Sequence, residues 1–413
     1  MDMSLLLNFD FISIIVLIIV LIVFLYKNKK KIKLWKIAFP FVYMILYRTK
    51  YGLKLMNKIA NKYRAFVRFM GFCFIGIGFY YMVFAMIIII RVMVSFFISP
   101  AEVDTGMVLL LPGMSLPGFG FLSFWHWIIA IFLLAIIHEG AHGIMARAYN
   151  VKIKASGFAF FSLFVPLLPA AFVEIDENQL KKMPDYVNYS ISAAGPLMNI
   201  LVAVVLLLAL PWVNPLNLNG NNLAPYEDYF SDANGFSVNV MDNLPAYNAS
   251  LRNGAIINSV NSEKVDNYLD FAKRIQGLKP DDEIVLGVDN GTQQISHTIV
   301  AMEHPEIPDK GYIGIVGLRD ERVIKSEHKV SGNIFYWFKG FFIWFYLFNF
   351  AVGIANLLPL GILDGGRMLK TLFNSVFKNK KRAQELWIWI SFLFLALLLV
   401  GIVAHYLQSW GLF

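Results

Sequence analysis

Cysteine is almost missing from this chain: a single one, Cys73, stands in an apolar run among 413 residues. That excludes an intrachain disulfide and a zinc site built on thiolates. Charge is sparse too, at 15% of residues against 58% hydrophobic, with 37 phenylalanines. A soluble chain of this size cannot bury so much apolar surface, which leaves a polytopic α-helical membrane protein. Acidic residues are scarcest outside one segment. Residues 213–333 hold ten Lys and Arg against seventeen Asp and Glu, whereas the remainder holds twenty-six against eleven. The net charge of +8 therefore sits in loops beside membrane spans, where basic residues are expected, and calls for no nucleic acid. The chain also lacks the repeated halves that a transporter with an intramembrane proton relay would want.

Apolar runs organise what is present. Phe11 to Tyr26 has about the minimum spanning length and is followed by Lys27, Lys29, Lys30, Lys31 and Lys33. Basic residues after the run, without a small-residue cleavage site, indicate an anchor rather than a signal peptide. Its C-terminal end is expected in the cytoplasm. In residues 34–64, Lys54, Lys58 and Lys62 recur every fourth position among Leu53, Leu55, Met56 and Ile59. This predicts a basic amphipathic helix on the cytoplasmic membrane surface, with a solvated loop as the alternative for its first half. Phe66 to Ile98 suits a tilted span, and residues 99–120, free of Lys and Arg, suit an exterior loop. Gly157 to Val173 is apolar but carries Pro166 and Pro169. Such a poor helix is expected as a re-entrant segment or hairpin, or else as a buried peripheral loop. Further spans are expected at Val187 to Trp212, Phe335 to Leu358 and Leu386 to Leu407. With the helix considered next, this makes about six spans with both ends outside and every short basic loop on one side.

That helix, from Trp125, runs through Ile131 to Ile137 into His138-Glu139-Gly140-Ala141-His142. Residues i and i+4 lie about 40° apart around a helix, so the two imidazoles face one way with a carboxylate beside them. Two neutral histidines and a general base are what a hydrolytic zinc site needs. Counted from Trp127, His138 lies about 17 Å into a hydrocarbon core about 30 Å thick. Charge is costly there and marks function. A short motif also arises by chance, and a third ligand decides. Asp364 is the best one: Pro359 and Gly361 break the preceding span, so Leu360 to Gly366 turns back into the protein. Its rivals Glu174 and Asp185 lack adjacent glycines, and a solvated Asp-Gly-Gly turn is the plain alternative. Glu139 would take a proton from the attacking water. The intramembrane amides Asn356 and Asn199 are assigned to the substrate side, for the oxyanion; Asn199 also suits orienting a ligand or bonding another helix.

The acidic segment begins with Asn214 to Pro225 and continues as helix, glycine turn and strand through Leu244 to Asn261. Short strands follow at Asp281 to Val288 and Ile295 to Val300, joined by an Asn290-Gly291 hairpin turn. About 80 residues here resemble a PDZ domain, which binds extended peptides at a sheet edge; its glycine-rich carboxylate-binding loop is not evident. The expected organisation is an N-terminal span and basic segment (1–64), a membrane core (65–212), a small α+β PDZ-like extramembrane domain (213–333) and a second membrane-core segment (334–413).

His138-Glu139-Gly140-Ala141-His142, Gly195-Pro196 with Asn199, the PDZ-like insert and Asn356-Leu357-Leu358-Pro359 with Leu363-Asp364-Gly365-Gly366 together resemble the site-2 proteases, peptidase family M50. The resemblance covers residues 121–370 and implies an intramembrane metalloprotease. Zinc would be held by His138, His142 and Asp364, with Glu139 as base and Asn356 near the scissile bond. It implies transmembrane protein substrates cut within the bilayer of the cell membrane, in regulated intramembrane proteolysis. The PDZ-like domain would lie on the non-cytoplasmic side and the active site nearer the cytoplasm. The family's second proline between Pro359 and Asp364 is absent, and Leu360-Gly361-Ile362 stands in its place. The competing class is a catalytically inactive membrane PDZ adaptor.

Overall fold

The computed structural model describes residues 3–38, 42–49, 51–100, 103–116, 119–163, 165–213, 235–241, 244–289, 294–304, 309–320 and 329–409. The segment 214–225 and the 290–291 turn lie outside them. Two compact units emerge: Met1–Leu208 with Gly340–Phe413, and Ala209–Lys339.

The chain opens with helix α1 (Met3–Lys27) and strands β1 (Ile32–Ala38) and β2 (Val42–Thr49), then α2 (Tyr51–Lys62) and α3 (Arg64–Ile98). The lysine-spaced helix is therefore α2 alone. Ahead of it, where a helix or loop was expected, β-branched and aromatic residues such as Ile32, Trp35, Tyr43, Ile45 and Tyr47 form an antiparallel hairpin. Such residues fit a pleated surface better than a helix. Two short strands, β3 (Ser115–Leu116) and β4 (Gly120–Phe121), precede α4 (Phe124–Ala148). Ser123 caps α4, its hydroxyl accepting from the His126 N–H at 3.2 Å, and Asn150 ends it in the left-handed region (φ 60°).

The proline-bearing stretch is a hairpin, β5 (Ile153–Leu163) and β6 (Val165–Ile175), which completes a sheet of order β1-β2-β5-β6. Both prolines fall in β6, the end strand, where a missing N–H interrupts no further ladder. A single turn, α5 (Glu177–Leu180), leads to α6 (Asp185–Val213).

Next come β7 (Phe236–Val240), α7 (Pro245–Asn248), β8 (Ile256–Val260), β9 (Glu263–Lys264), α8 (Tyr268–Arg274), β10 (Glu283–Asp289), β11 (Gln294–Val300), β12 (Met302–Glu303), β13 (Gly311–Tyr312) and β14 (Ile315–Asp320). The main sheet runs β11-β10-β8-β7-β14 with β9 beside β8. Its core is apolar, built on Phe236, Ile257, Phe271, Leu286 and Ile299.

The chain ends with α9 (Lys329–Asn356), α10 (Asp364–Val376) and α11 (Lys380–Ser409). Among the described residues, five helices are long and apolar enough to cross a membrane, namely α3, α4, α6, α9 and α11, and Ile12–Lys27 of α1 is a shorter apolar helix. The sixth expected span is that shorter helix.

Candidate metal centre

The site is assembled by four helices, a loop and strand β6. Helix α4 supplies His138 and His142. Beyond α9, Pro359 and the turn at 357–363 reverse the chain, and α10 begins at Asp364. The reversal needs both glycines that follow. A Cβ on Gly365 would meet the Leu357 carbonyl oxygen at 2.0 Å, and one on Gly366 the Leu360 oxygen at 1.9 Å. Helix α11 holds the turn: Trp387 Nε1 donates to the Gly366 oxygen at 2.8 Å and Ser391 Oγ to the Pro359 oxygen at 2.9 Å.

Asp364 Oδ2 then lies 3.1 Å from His138 Nε2 and 3.2 Å from His142 Nε2, and the two nitrogens are 3.2 Å apart. All three residues are buried. Tetrahedral zinc with bonds of about 2.0–2.1 Å to nitrogen and oxygen has ligand–ligand edges of about 3.3 Å. The triangle matches that edge length.

Protonation also fits a cation. His142 Nδ1 is 2.6 Å from the Ile191 carbonyl oxygen. A carbonyl only accepts, so Nδ1 carries the proton, and in the neutral imidazole Nε2 then presents its lone pair. His138 Nδ1 is 3.2 Å from the Asn199 amide nitrogen, while Asn199 Oδ1 is buried without a partner. Amide orientation is an assignment. Turning it over pairs Oδ1 with Nδ1–H and gives His138 the same tautomer. Two nitrogen lone pairs and a carboxylate oxygen then converge within 3.2 Å, an arrangement that a bound cation relieves.

Helix α6 backs this triangle through one stripe at i, i+4 and i+8: Ile191, Gly195 and Asn199. A Cβ on Gly195 would stand 2.4 Å from His142 Nε2 and 2.7 Å from His138 Nε2. Only glycine leaves that space open.

Glu139, half-buried, lies beside the triangle and accepts from the Val173 N–H of β6 at 2.9 Å. A cavity of about 1200 Å³ is lined by His138, Glu139, His142 and Asp364, and also by Asn356 and the 170–175 stretch of β6. Asn356 keeps its own amide on the Val352 oxygen at 3.0 Å. Asn199 does not line the cavity; it is fully buried against His138. That position accords with the alternative role of orienting a ligand. The rival carboxylates are engaged elsewhere, Glu174 with Arg48 at 2.8 Å and Asp185 with the Ser375 hydroxyl. Sequence reasoning missed the Val173 N–H and the Ile191 carbonyl, since backbone groups carry no residue signature. It also missed the contribution of β1 and β2 to the cavity.

The fold and this cluster define a multi-pass membrane protein with a buried His-His-Asp centre beside a glutamate. Residues 126–398 match peptidase family M50, and the chain belongs to that family. It is 26% identical over 254 residues to an uncharacterized protein, MJ0971, of Methanocaldococcus jannaschii, covering 62% of this chain and 58% of that protein. It is 25% identical over 267 residues to the regulator of sigma-W protease RasP of Bacillus subtilis, covering 54% of this chain and 60% of RasP. The chain thus spans about three-fifths of the length of each of these relatives. Among solved structures it matches the PDZ domain of an SdrC-like protein of Listeria monocytogenes. That match has 19% identity over 21% of this chain and 90% of the domain, with a TM-score of 0.19, too low to carry an argument.

Proposed function

We propose that the chain is an intramembrane zinc metalloprotease, hydrolysing a peptide bond in or near the transmembrane segment of a membrane protein. The observation that carries this reading is the convergence of two imidazole nitrogens and the Asp364 carboxylate next to Glu139, in the lining of a cavity that mixes charged and apolar side chains. His138, His142 and Asp364 would hold zinc, which supplies a bound water of pKa about 7 and polarises the scissile carbonyl.

The chain's own groups do the rest. Glu139 accepts the water's proton and passes it to the leaving amine. The Val173 N–H holds Glu139 in place, and the Ile191 carbonyl and Asn199 keep the ligand nitrogens in the metal-binding tautomer. The Asn356 amide stands in the cavity wall, where it would donate to the carbonyl oxygen as charge develops. Strand β6 ends its sheet, so an extended substrate would be held by strand addition at 170–172, ahead of the Val173 N–H that Glu139 occupies. The acidic unit at Ala209–Lys339 would receive a peptide segment in PDZ-like fashion on the non-cytoplasmic side, with water reaching the metal centre from the cytoplasm.

An inactive adaptor is the second reading, and Glu139 counts against it: an adaptor has no use for a carboxylate held beside three ligands. Glu139→Gln should abolish cleavage of a co-expressed single-span substrate while zinc stays bound. Undiminished cleavage would sink the mechanism, and wild type that neither binds zinc nor cleaves would favour the adaptor.

A further inference from the structure

The charges that line the cavity outside the metal cluster do not balance. Arg48 is paired with Glu174 and Lys154 with Asp176, at 2.8 and 3.1 Å. Lys33, Lys181, Arg367 and Lys370 also line the cavity, and among the described residues none of the four has a carboxylate partner. Beyond Glu139 and Asp364 at the site itself, Glu177 is the one acid of the lining left to oppose them.

Two of these cations stand on α10, three and six residues after Asp364. Met368 and Leu369 are buried behind it while Arg367 and Lys370 are exposed in the cavity. The helix is anchored by Trp387, whose indole holds the Gly366 carbonyl and lies 4.5 Å under the Lys370 ammonium. With a rise of 1.5 Å per residue, Arg367 lies about 5 Å and Lys370 about 9 Å along the axis from Asp364. An extended peptide advances about 3.3 Å per residue. Arg367 would therefore stand opposite the first or second residue from the scissile bond, and Lys370 opposite the third.

Building on the proteolytic reading, we propose that Arg367 and Lys370 form a subsite selecting an acidic side chain one to three residues from the scissile bond, on the α10 side. Basic residues near a membrane often meet anionic headgroups instead. Here the occupant is identified by the cavity: the same space contains Glu139 and the three ligands, so whatever reaches the reacting groups passes this face. Arg367 offers a planar fork matched to a carboxylate.

The test uses full-length Glu139→Gln protein in detergent and labelled single-span peptides with a Gly-Ser-Gly break. The peptides carry Asp, Asn or Lys one to three residues to either side of the break. Affinity should fall in the order Asp, Asn, Lys, with about fivefold between the extremes at low salt, and the spread should close near 1 M salt, where screening reaches about 3 Å. Arg367→Glu with Lys370→Glu should invert the order, and Arg367→Gln with Lys370→Gln should flatten it. Zinc content is measured for each variant to show that the neighbouring ligand Asp364 is undisturbed. Equal affinities for the three peptides would overturn the proposal, as would an order unchanged by charge reversal. A loss shared equally by all three would overturn it in favour of a headgroup contact. Wild-type protein that cleaves none of them, with the affinity order intact, would count against proteolysis and leave the acid subsite standing.

Discussion

Within residues 235–320 of the Ala209–Lys339 unit, the large core side chains go inward: Phe236, Leu286 and Ile299 are at most 1% exposed. The other unit has apolar cores as well, but it also presents Phe69, Phe72 and Trp389 outward at 63 to 69% exposure while burying His138, His142, Asp364 and Asn199. One solvent accounts for the first pattern and two for the second. A lipid-facing surface gains nothing by hiding phenylalanine. A polar group buried in such a body is costly unless it is paired, which is why the buried polar cluster is the candidate site.

This contrast can be broken in order of expected effect. Gly195→Ala drives a methyl into both ligand nitrogens and should abolish zinc binding, read by metal analysis of the purified chain. Gly277→Ala in the other unit meets nothing within 4 Å and should leave zinc unchanged and stability within about 0.5 kcal/mol. Equal outcomes would erase the distinction. Leu286→Ala opens a cavity in the soluble-type core and should destabilise that unit by about 2–5 kcal/mol in denaturant unfolding, with zinc retained. Asn199→Leu should weaken zinc affinity about 10–100-fold by chelator competition. Asn199→Asp should restore it, since a carboxylate also accepts from His138 Nδ1–H. Failure of the rescue would make Asn199 a packing residue.

The smallest effect is at the loop before α4. His405 Nδ1 contacts Asp104 at 2.7 Å, and this hydrogen bond holds the Asp104 carboxyl below the usual range. A lowered folded pKa adds stability above the unfolded value near 3.8, and that contribution is lost as pH falls through the folded value. Asp104 is largely exposed, so Asp104→Asn should cost no more than about 1 kcal/mol at pH 7. Wild type and variant should converge in acid, and a difference that persists there would assign the effect to something other than ionisation.

The helices and the pairing of His138 with His142 were readable because long apolar runs and helical spacing are local signals. Even the return of Asp364 followed from Pro359 and Gly361, which end a helix by rules of backbone geometry. The hairpin of β1 and β2 was not read, because the lysine spacing that marks α2 was extended backward over Trp35, Tyr43 and Ile45, whose aromatic and β-branched side chains favour strands. Asn199 was open between two roles because its partner, His138, is 61 residues away, and no local pattern chooses between them. Val173 enters the site through its N–H, which every residue but proline possesses.

Zinc content of the purified wild-type chain beside Asp364→Ala tests the central claim most directly. One zinc per wild-type chain, lost in Asp364→Ala with the helical content unchanged, is the predicted result. Full zinc in Asp364→Ala would remove Asp364 from the ligand set and contradict the three-ligand centre on which the proposed chemistry rests.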